Sequence, residues 1–341
     1  MARVSDLGID LGTSNVLIYQ KGKGIVLRQP AVVTIERTTK KVVAVGTEAY
    51  KMIGRTPGNL LVVRPLRQGV VTDLELTSTM LRHFMGSIIG RRFFARPRVI
   101  LSVPSGVSEA DKSSIISILY DTGVKRTQLL ERPLAAAMGV GMDFRKPYGC
   151  MVVDMGAGAT DIAVLASDQV VEAASVPCGG DSFDDAIIAY LRKKHNLLIG
   201  ERTAEEVKIS IGSAVAPLSD MTYEVTGRNL LLGLPKTQTI HASEIYEALK
   251  KPVEDLIDAI RKVLERTPAQ LASDIFEDGI VLTGGAAALA GLPEAIYTGL
   301  HTPCGVADDP QTSVVLGCGR VLDNPNSYKS LLSDGRRGLL R

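Results

Sequence analysis

At 341 residues, the chain is too long for one hydrophobic core and is sized for two domains. Hydrophobic residues make up 45% and charged residues 22%, with a formal net charge of +2, so cores can be built and no general electrostatic case for a nucleic-acid partner exists. Four cysteines (Cys150, Cys178, Cys304, Cys318) without a Cys-x-x-Cys pair, and four scattered histidines, argue against a zinc site or disulfide framework and for reduced thiols in a cytoplasmic protein.

Arg3, Asp6 and Asp10 leave no apolar run at the N-terminus, which does not read as a signal peptide. Residues 7–11 and 16–19 predict two short strands joined by Gly12-Thr13-Ser14-Asn15. A turn at 21–24 leads to a strand at 25–27, and 98–103 predicts another. Ser108 with Asp111 resembles a capping box and opens a helix to about Tyr120. Pro133 suits the first turn of a helix continuing through 134–138. A second set follows: a strand at 150–154, a turn at 156–159 and a strand at 162–165. A helix is expected over 182–194, and another from a Thr203–Glu206 capping box to about Ile211. Ser243 opens a long helix to Arg266, bent or restarted at Pro252, and a strand at 280–282 runs into Gly284-Gly285. The longest uncharged stretch, 279–293, is too short to span a membrane.

The informative feature is an internal echo. "GIDLGTSN" begins at Gly8 and "VVDMGAGATD" begins at Val152, and each is an apolar strand, Asp-x-Gly, a small-residue turn and another apolar strand. Two copies of one hairpin imply two domains of like topology facing each other. Turns of Gly, Ser and Thr leave backbone N–H groups unobstructed and form concavities for phosphate oxygens. Asp10 and Asp154, at matching strand ends, are placed to hold Mg²⁺ through water. Thr283-Gly284-Gly285 reads either as a simple turn or as a place where a base or ribose approaches the backbone.

These pieces resemble the actin, heat-shock-70 and sugar-kinase superfamily, and within it the MreB-type bacterial actins, including their Mbl-like paralogues. The similarity runs from about Val4 to about Asp323. It rests on "DLGIDLGTSN" at 6–15, "GRTPGN" at 54–59, "RPLRQGVVTD" at 64–73, "VPSGV" at 103–107, "GERTAEEVKISIGSA" at 200–214, "GLPKT" at 233–237, "LERTPAQLASDI" at 264–275 and "GIVLTGG" at 279–285. The resemblance implies an α/β, actin-like (ribonuclease-H-like) fold of duplicated domains with a nucleotide cleft between them. Domain I would be 1–140 plus 310–341, with subdomain IB at about 32–72. Domain II would be 141–309, with subdomain IIB at about 182–250. ATP or GTP with Mg²⁺ would lie in the cleft. Gly12, Thr13, Ser14 and Asn15 would form one phosphate loop, and Asp154, Gly156, Ala157 and Gly158 the other. Glu205 and Lys208 would contact ribose and base, although by themselves they read as a solvated i,i+3 pair. Gly284, Gly285 and Ala286 would line the adenosine.

Two departures from the family pattern matter. Arg132 stands where the resemblance implies a water-orienting Glu before Pro133, and Ala159 where it implies a water-positioning Thr. The third glycine of the adenosine loop is Ala286. An arginine cannot accept a proton from water, but it can grip a phosphate. The expectation is a protein that binds ATP, polymerises and hydrolyses slowly, so that no catalytic residue is assigned with Arg132 and Ala159 in these places. A competing reading makes Arg132 an arginine finger that preserves turnover.

Arg91-Arg92-Phe93-Phe94 places two aromatics beside arginines before Pro97, a loop tip suited to shallow insertion at the inner leaflet of the cytoplasmic membrane. The alternative is that both Phe side chains pack under their own domain. By resemblance the partners are further copies of the chain in a filament and the membrane-embedded rod-complex proteins that guide wall synthesis and cell shape. A non-polymerising regulator of a competent paralogue is the alternative function. A sugar kinase would be longer, and a chaperone would carry a peptide-binding domain after its nucleotide domains.

Overall fold

The computed structural model of the chain describes residues 6–89, 97–219 and 221–334. The first lobe runs β1 (Leu7–Leu11), β2 (Asn15–Gln20), β3 (Gly24–Pro30), β4 (Val33–Glu36), β5 (Val42–Val45), α1 (Thr47–Tyr50), β6 (Leu60–Val63), β7 (Leu66–Arg67), β8 (Val70–Val71), α2 (Leu74–Ile89), β9 (Arg98–Val103), α3 (Glu109–Asp121), β10 (Arg126–Glu131) and α4 (Arg132–Val140). The second runs β11 (Cys150–Met155), β12 (Thr160–Ala166), β13 (Gln169–Val176), α5 (Gly180–His195), β14 (Leu197–Leu198), α6 (Glu201–Ile211), β15 (Thr222–Asn229), β16 (Pro235–His241), α7 (Ala242–Arg266), α8 (Ala269–Asp278), β17 (Ile280–Thr283), α9 (Leu292–Leu300) and β18 (Cys304–Val306). Then α10 (Ser313–Asp323) and β19 (Ser333–Asp334) return to the first lobe, where α10 packs on β1 and β2 and β19 pairs with β10.

The two main sheets repeat one topology. One is ordered β19-β10-β9-β1-β2-β3 and the other β13-β12-β11-β17-β18. In each, an antiparallel hairpin pair (β1–β2, β11–β12) sits beside a strand parallel to its first member (β9, β17). Two smaller sheets, β5-β4-β6 and β14-β15-β16, are built on the first and second lobes.

Burial follows the sequence pattern. β12 is buried along its whole length, as an apolar strand covered on both faces should be, whereas β13 beside it alternates. Each lobe has its own apolar core, and a third cluster joins them. This third cluster gathers Ile100 and Leu130 from one sheet and Val152, Ala163 and Leu165 from the other around α4 and α10. The two helices touch backbone to backbone: a Cβ at Gly139 would lie 1.7 Å from the Ser313 carbonyl oxygen, and one at Gly317 would lie 1.8 Å from that of Ala135. Helix α4, held by α10 in the first lobe and packed on β11 and β12 of the second, joins the two lobes.

Several boundaries differ from expectation. Ser108 caps α3, accepting from the Asp111 amide at 3.1 Å as its spacing implies. Thr203 caps nothing: α6 starts at Glu201 behind Gly200, and Glu206 pairs with Arg202 at 3.1 Å. The helix expected from Ser182 starts at Gly180, and the one expected from Ser243 starts at Ala242, with Glu244 accepting from the His241 amide at 3.0 Å. Helix α7 continues through Pro252 without restarting. Its buried stripe of Ile245, Leu249, Val253, Leu256, Ile260 and Val263 spans the proline, and that packing outweighs the lost hydrogen bond.

Candidate functional site

The echoed sequences are the β1–β2 and β11–β12 hairpins, and their turns are closed by the same backbone hydrogen bond. The Gly12 amide donates to the Asn15 carbonyl at 3.0 Å, and the Gly156 amide donates to that of Ala159 at 2.9 Å. Asp10 accepts from the Ser102 hydroxyl at 2.8 Å, and Asp154 accepts from the Thr283 hydroxyl at 2.8 Å. Both hydroxyls come from the neighbouring parallel strand, β9 in one lobe and β17 in the other. Each carboxylate is thus oriented by the same device.

The two turns face each other. A Cβ at Gly158 would lie 2.7 Å from Thr13 Oγ1 and 2.7 Å from the Gln68 amide nitrogen. Among the described residues, the amides of Thr13, Ser14, Ala157 and Gly158 make no backbone hydrogen bond, which leaves them as donors. Gln68 and Gly69, at the tip of the β7–β8 hairpin, close the approach between the turns, and the Gly69 amide donates to Thr13 Oγ1 at 3.0 Å. Sequence reasoning passed over this tip. Its signal was the Gly within "RPLRQGVVTD", where Gln68 and Gly69 both take positive φ.

A cleft of about 870 Å³ opens from these turns between the lobes. It is lined by every residue expected at a nucleotide: Gly12, Thr13, Ser14, Asn15, Gly156, Ala157, Gly158, Glu205, Lys208, Gly284, Gly285 and Ala286, with Asp10 and Asp154 at its floor and Arg132 and Ala159 beside them. Glu205 accepts a hydrogen bond from the Tyr50 hydroxyl at 3.2 Å, and Arg64 pairs with Glu201 at 3.6 Å, so α6 is tied across the cleft to the first lobe. Lys208 pairs with Asp184 at 2.8 Å and donates to the Gly180 carbonyl at 3.1 Å, locking α6 to α5 rather than standing free in solvent. Burial pushes Asp184 up to about 6 against the pull of Lys208. Gly284 is required by packing: its φ is 83°, and a Cβ there would lie 2.3 Å from the Met155 carbonyl oxygen. Gly285 meets only the Gln311 side chain, at 3.9 Å.

Arg132 is the first residue of α4, behind Glu131 as N-cap, and only 7% of it is exposed. A cation at a helix N-terminus opposes the helix dipole, so its place needs carboxylates. Its Nη1 donates to Asp161 Oδ2 at 2.9 Å, and its Nε lies 4.0 Å from Asp10 Oδ1. Burial pulls the guanidinium down, but Asp161, Asp10 and Asp154 outweigh it and hold Arg132 above its usual value. Burial also raises both floor carboxylates, Asp154 to about 7, with Arg132 opposing the rise. Glu131 turns away from the cleft and accepts from the Ser105 hydroxyl at 2.8 Å. Asp161, missed as a site residue although it ends the quoted "VVDMGAGATD", pairs with Asp154 in the β11–β12 ladder, whereas Leu17 occupies the equivalent place opposite Asp10.

Duplicated sheets, mirrored aspartates and a cleft between them narrow the fold, and comparison with known proteins decides the family. The family model described as MreB/Mbl protein matches residues 4–330. The chain belongs to the MreB/Mbl family. The cell shape-determining protein Mbl of Bacillus cereus is 44% identical over 319 residues, 94% of this chain and 96% of that one. The cell shape-determining protein MreB of Escherichia coli is 44% identical over 324 residues, 94% of this chain and 93% of that one. MreB5 of Spiroplasma citri, solved bound to AMPPNP, superposes with a TM-score of 0.91 at 31% identity, covering 97% of this chain and 99% of that one. A chain of the MamK double helical filament, 20% identical with a TM-score of 0.79, shows the shared fold alone. The fold is therefore actin-like, as the motifs implied.

Among the described residues, no group of three or more His, Cys, Asp or Glu side chains is arranged to hold a metal ion. Arg132 interacts with Asp10, Asp161 and Asp154 together. It puts a fixed positive charge beside the Asp10 and Asp154 carboxylates, and that charge opposes a divalent ion at them. Arg91, Arg92, Phe93 and Phe94 lie outside the described residues, and no described helix is long and apolar enough to cross a membrane.

Proposed function

We propose that this MreB/Mbl-family protein binds ATP or GTP between its twin hairpins and assembles with further copies of itself into filaments at the cytoplasmic face of the membrane. There it organises wall synthesis and rod cell shape with membrane-embedded partners. The observation that carries the nucleotide reading is the facing pair of turns, Gly12–Asn15 and Gly156–Gly158, each beside a hydroxyl-oriented aspartate on one cleft. A triphosphate would take the amides of both turns. Glu205, Lys208, Gly284, Gly285 and Ala286 would border its nucleoside. That MreB5 of Spiroplasma citri is solved bound to ADP and to AMPPNP supports nucleotide binding. The domains would divide as 1–140 with 310–341, and 141–309. Titration of a fluorescent ATP analogue tests the reading, and a saturable signal lost on adding ATP is expected.

Hydrolysis is slow in this account. Arg132 is tied to Asp161 and cannot accept a proton from water, Glu131 is turned to Ser105, and Ala159 offers no hydroxyl. Asp10 and Asp154, expected to hold Mg²⁺ through water, both interact with Arg132.

Self-assembly is supported by an apolar tip. Leu231, Leu232 and Leu234, between β15 and β16, are each at least 63% exposed, and such contiguous apolar surface marks contact with another molecule. Pelleting and negative-stain microscopy with ATP test it; particles that stay monomeric would favour the regulatory alternative. Replacing Phe93 and Phe94 by Ser should abolish liposome co-sedimentation while sparing polymerisation.

A further inference from the structure

The charge arrangement at the floor of the cleft carries a consequence for how the nucleotide is held. Arg132 comes from the first lobe and Asp161 from the second, so their 2.9 Å bond ties the lobes beneath the phosphate turns. The ladder position opposite Asp154 holds a carboxylate, while its counterpart opposite Asp10 holds Leu17. The extra carboxylate therefore stands only where the arginine reaches. Space for the guanidinium comes from small neighbours: a Cβ at Gly69 would lie 3.8 Å from Arg132 Nη1 and 3.3 Å from the Ala159 Cβ. Among the described residues, the bond to Asp161 is the one hydrogen bond that Arg132 makes. A guanidinium carries five N–H donors, and this side chain lines the cleft.

We propose that Arg132 is a built-in counter-cation for the triphosphate, so that this chain binds nucleotide without needing a divalent metal. The inference rests on the nucleotide reading above. Two requirements met by a divalent ion in a phosphate site are neutralising the carboxylates at its floor and bridging them to phosphate oxygens. The guanidinium contributes to both, with burial pushing Asp10 and Asp154 toward their neutral forms. Its charge sits among Asp10, Asp154 and Asp161, and its remaining donors have the planar fork geometry that suits phosphate. Asp161 acts as a positioning residue, fixing the fork through Nη1 and leaving the other nitrogens for the ligand.

The test is a calorimetric titration of the purified full chain with ATP, once with excess Mg²⁺ and once with excess EDTA. The expected dissociation constants agree within about tenfold. A loss of about a hundredfold or more in EDTA overturns the inference while leaving the nucleotide reading intact. Absence of binding in both buffers sinks the nucleotide reading itself. The paired variant Arg132→Met with Asp161→Asn removes the cation without stranding its carboxylate. In it, affinity should become metal-dependent, with EDTA weakening binding by about a hundredfold. Metal-independent binding that survives in this folded variant, checked by circular dichroism, would equally overturn the role of Arg132. If the variant does not fold, the comparison on the unaltered protein still decides.

Discussion

Replacing Arg132 with Ala should be among the most damaging single changes in this chain, and much worse than replacing Asp161. At an effective dielectric of about 20, the 2.9 Å contact to Asp161 is worth about 6 kcal/mol of attraction and the 4.0 Å contact to Asp10 about 4 kcal/mol. Desolvating the ions costs several kcal/mol each, so the net value of the intact cluster is small. Breaking it is asymmetric. Without Arg132, three carboxylates share a buried floor with no cation, and a loss of about 3–5 kcal/mol is expected. Without Asp161, the guanidinium keeps Asp10 and Asp154, and about half that loss is expected. The neutral pair Arg132→Met with Asp161→Asn should recover most of the stability. Urea unfolding of the nucleotide-free protein, followed by circular dichroism for the unaltered chain, Arg132→Met, Asp161→Asn and the pair, supplies the cycle, with Arg132→Ala measured beside them. A loss below about 1 kcal/mol for Arg132→Ala, or a paired variant no better than the worse single, would refute the cluster as the organising charge of the cleft.

Other outcomes follow from the same geometry. Arg132→Glu with Ala159→Thr should raise phosphate release by about 10²–10⁴, and an unchanged rate would mean that these side chains do not limit hydrolysis. Asp154 titrates near 7 against 3.8 in the unfolded chain, and Asp184 near 6, so both raised groups favour the folded state most at low pH. Stability of the nucleotide-free protein should therefore fall as pH rises from about 4 to 7, by on the order of 1 kcal/mol per unit for Asp154, and Asp154→Asn should flatten that slope. Gly284→Ala should cost about 2 kcal/mol or more, seen as a lowered thermal midpoint, because both its positive φ and the Met155 carbonyl oppose a Cβ.

The hairpins were legible because each is written locally: an apolar strand, Asp-x-Gly, a small turn and a second apolar strand, with nothing distant required. The Ser108 cap was legible for the same reason. Partners across the lobes were not. Arg132 reads as a departure from a motif, and nothing near it in the chain names Asp161, because only the docking of α4 beneath the second sheet brings them together. Gln68 and Gly69 likewise acquire meaning only when their tip meets Thr13. Thr203, and the restart weighed at Pro252, misled for a different reason. Their local chemistry is real, but Gly200 already begins α6, and the buried stripe of α7 carries the helix past its proline.

The most direct measurement is a structure of the protein crystallised with a non-hydrolysable ATP analogue in the absence of divalent metal. The account predicts density for the triphosphate between Gly12–Asn15 and Gly156–Gly158, with a phosphate oxygen within hydrogen-bonding distance of Arg132 and the bond from Arg132 to Asp161 intact. A nucleotide seated elsewhere, or the Arg132 side chain swung out of the floor, would contradict it.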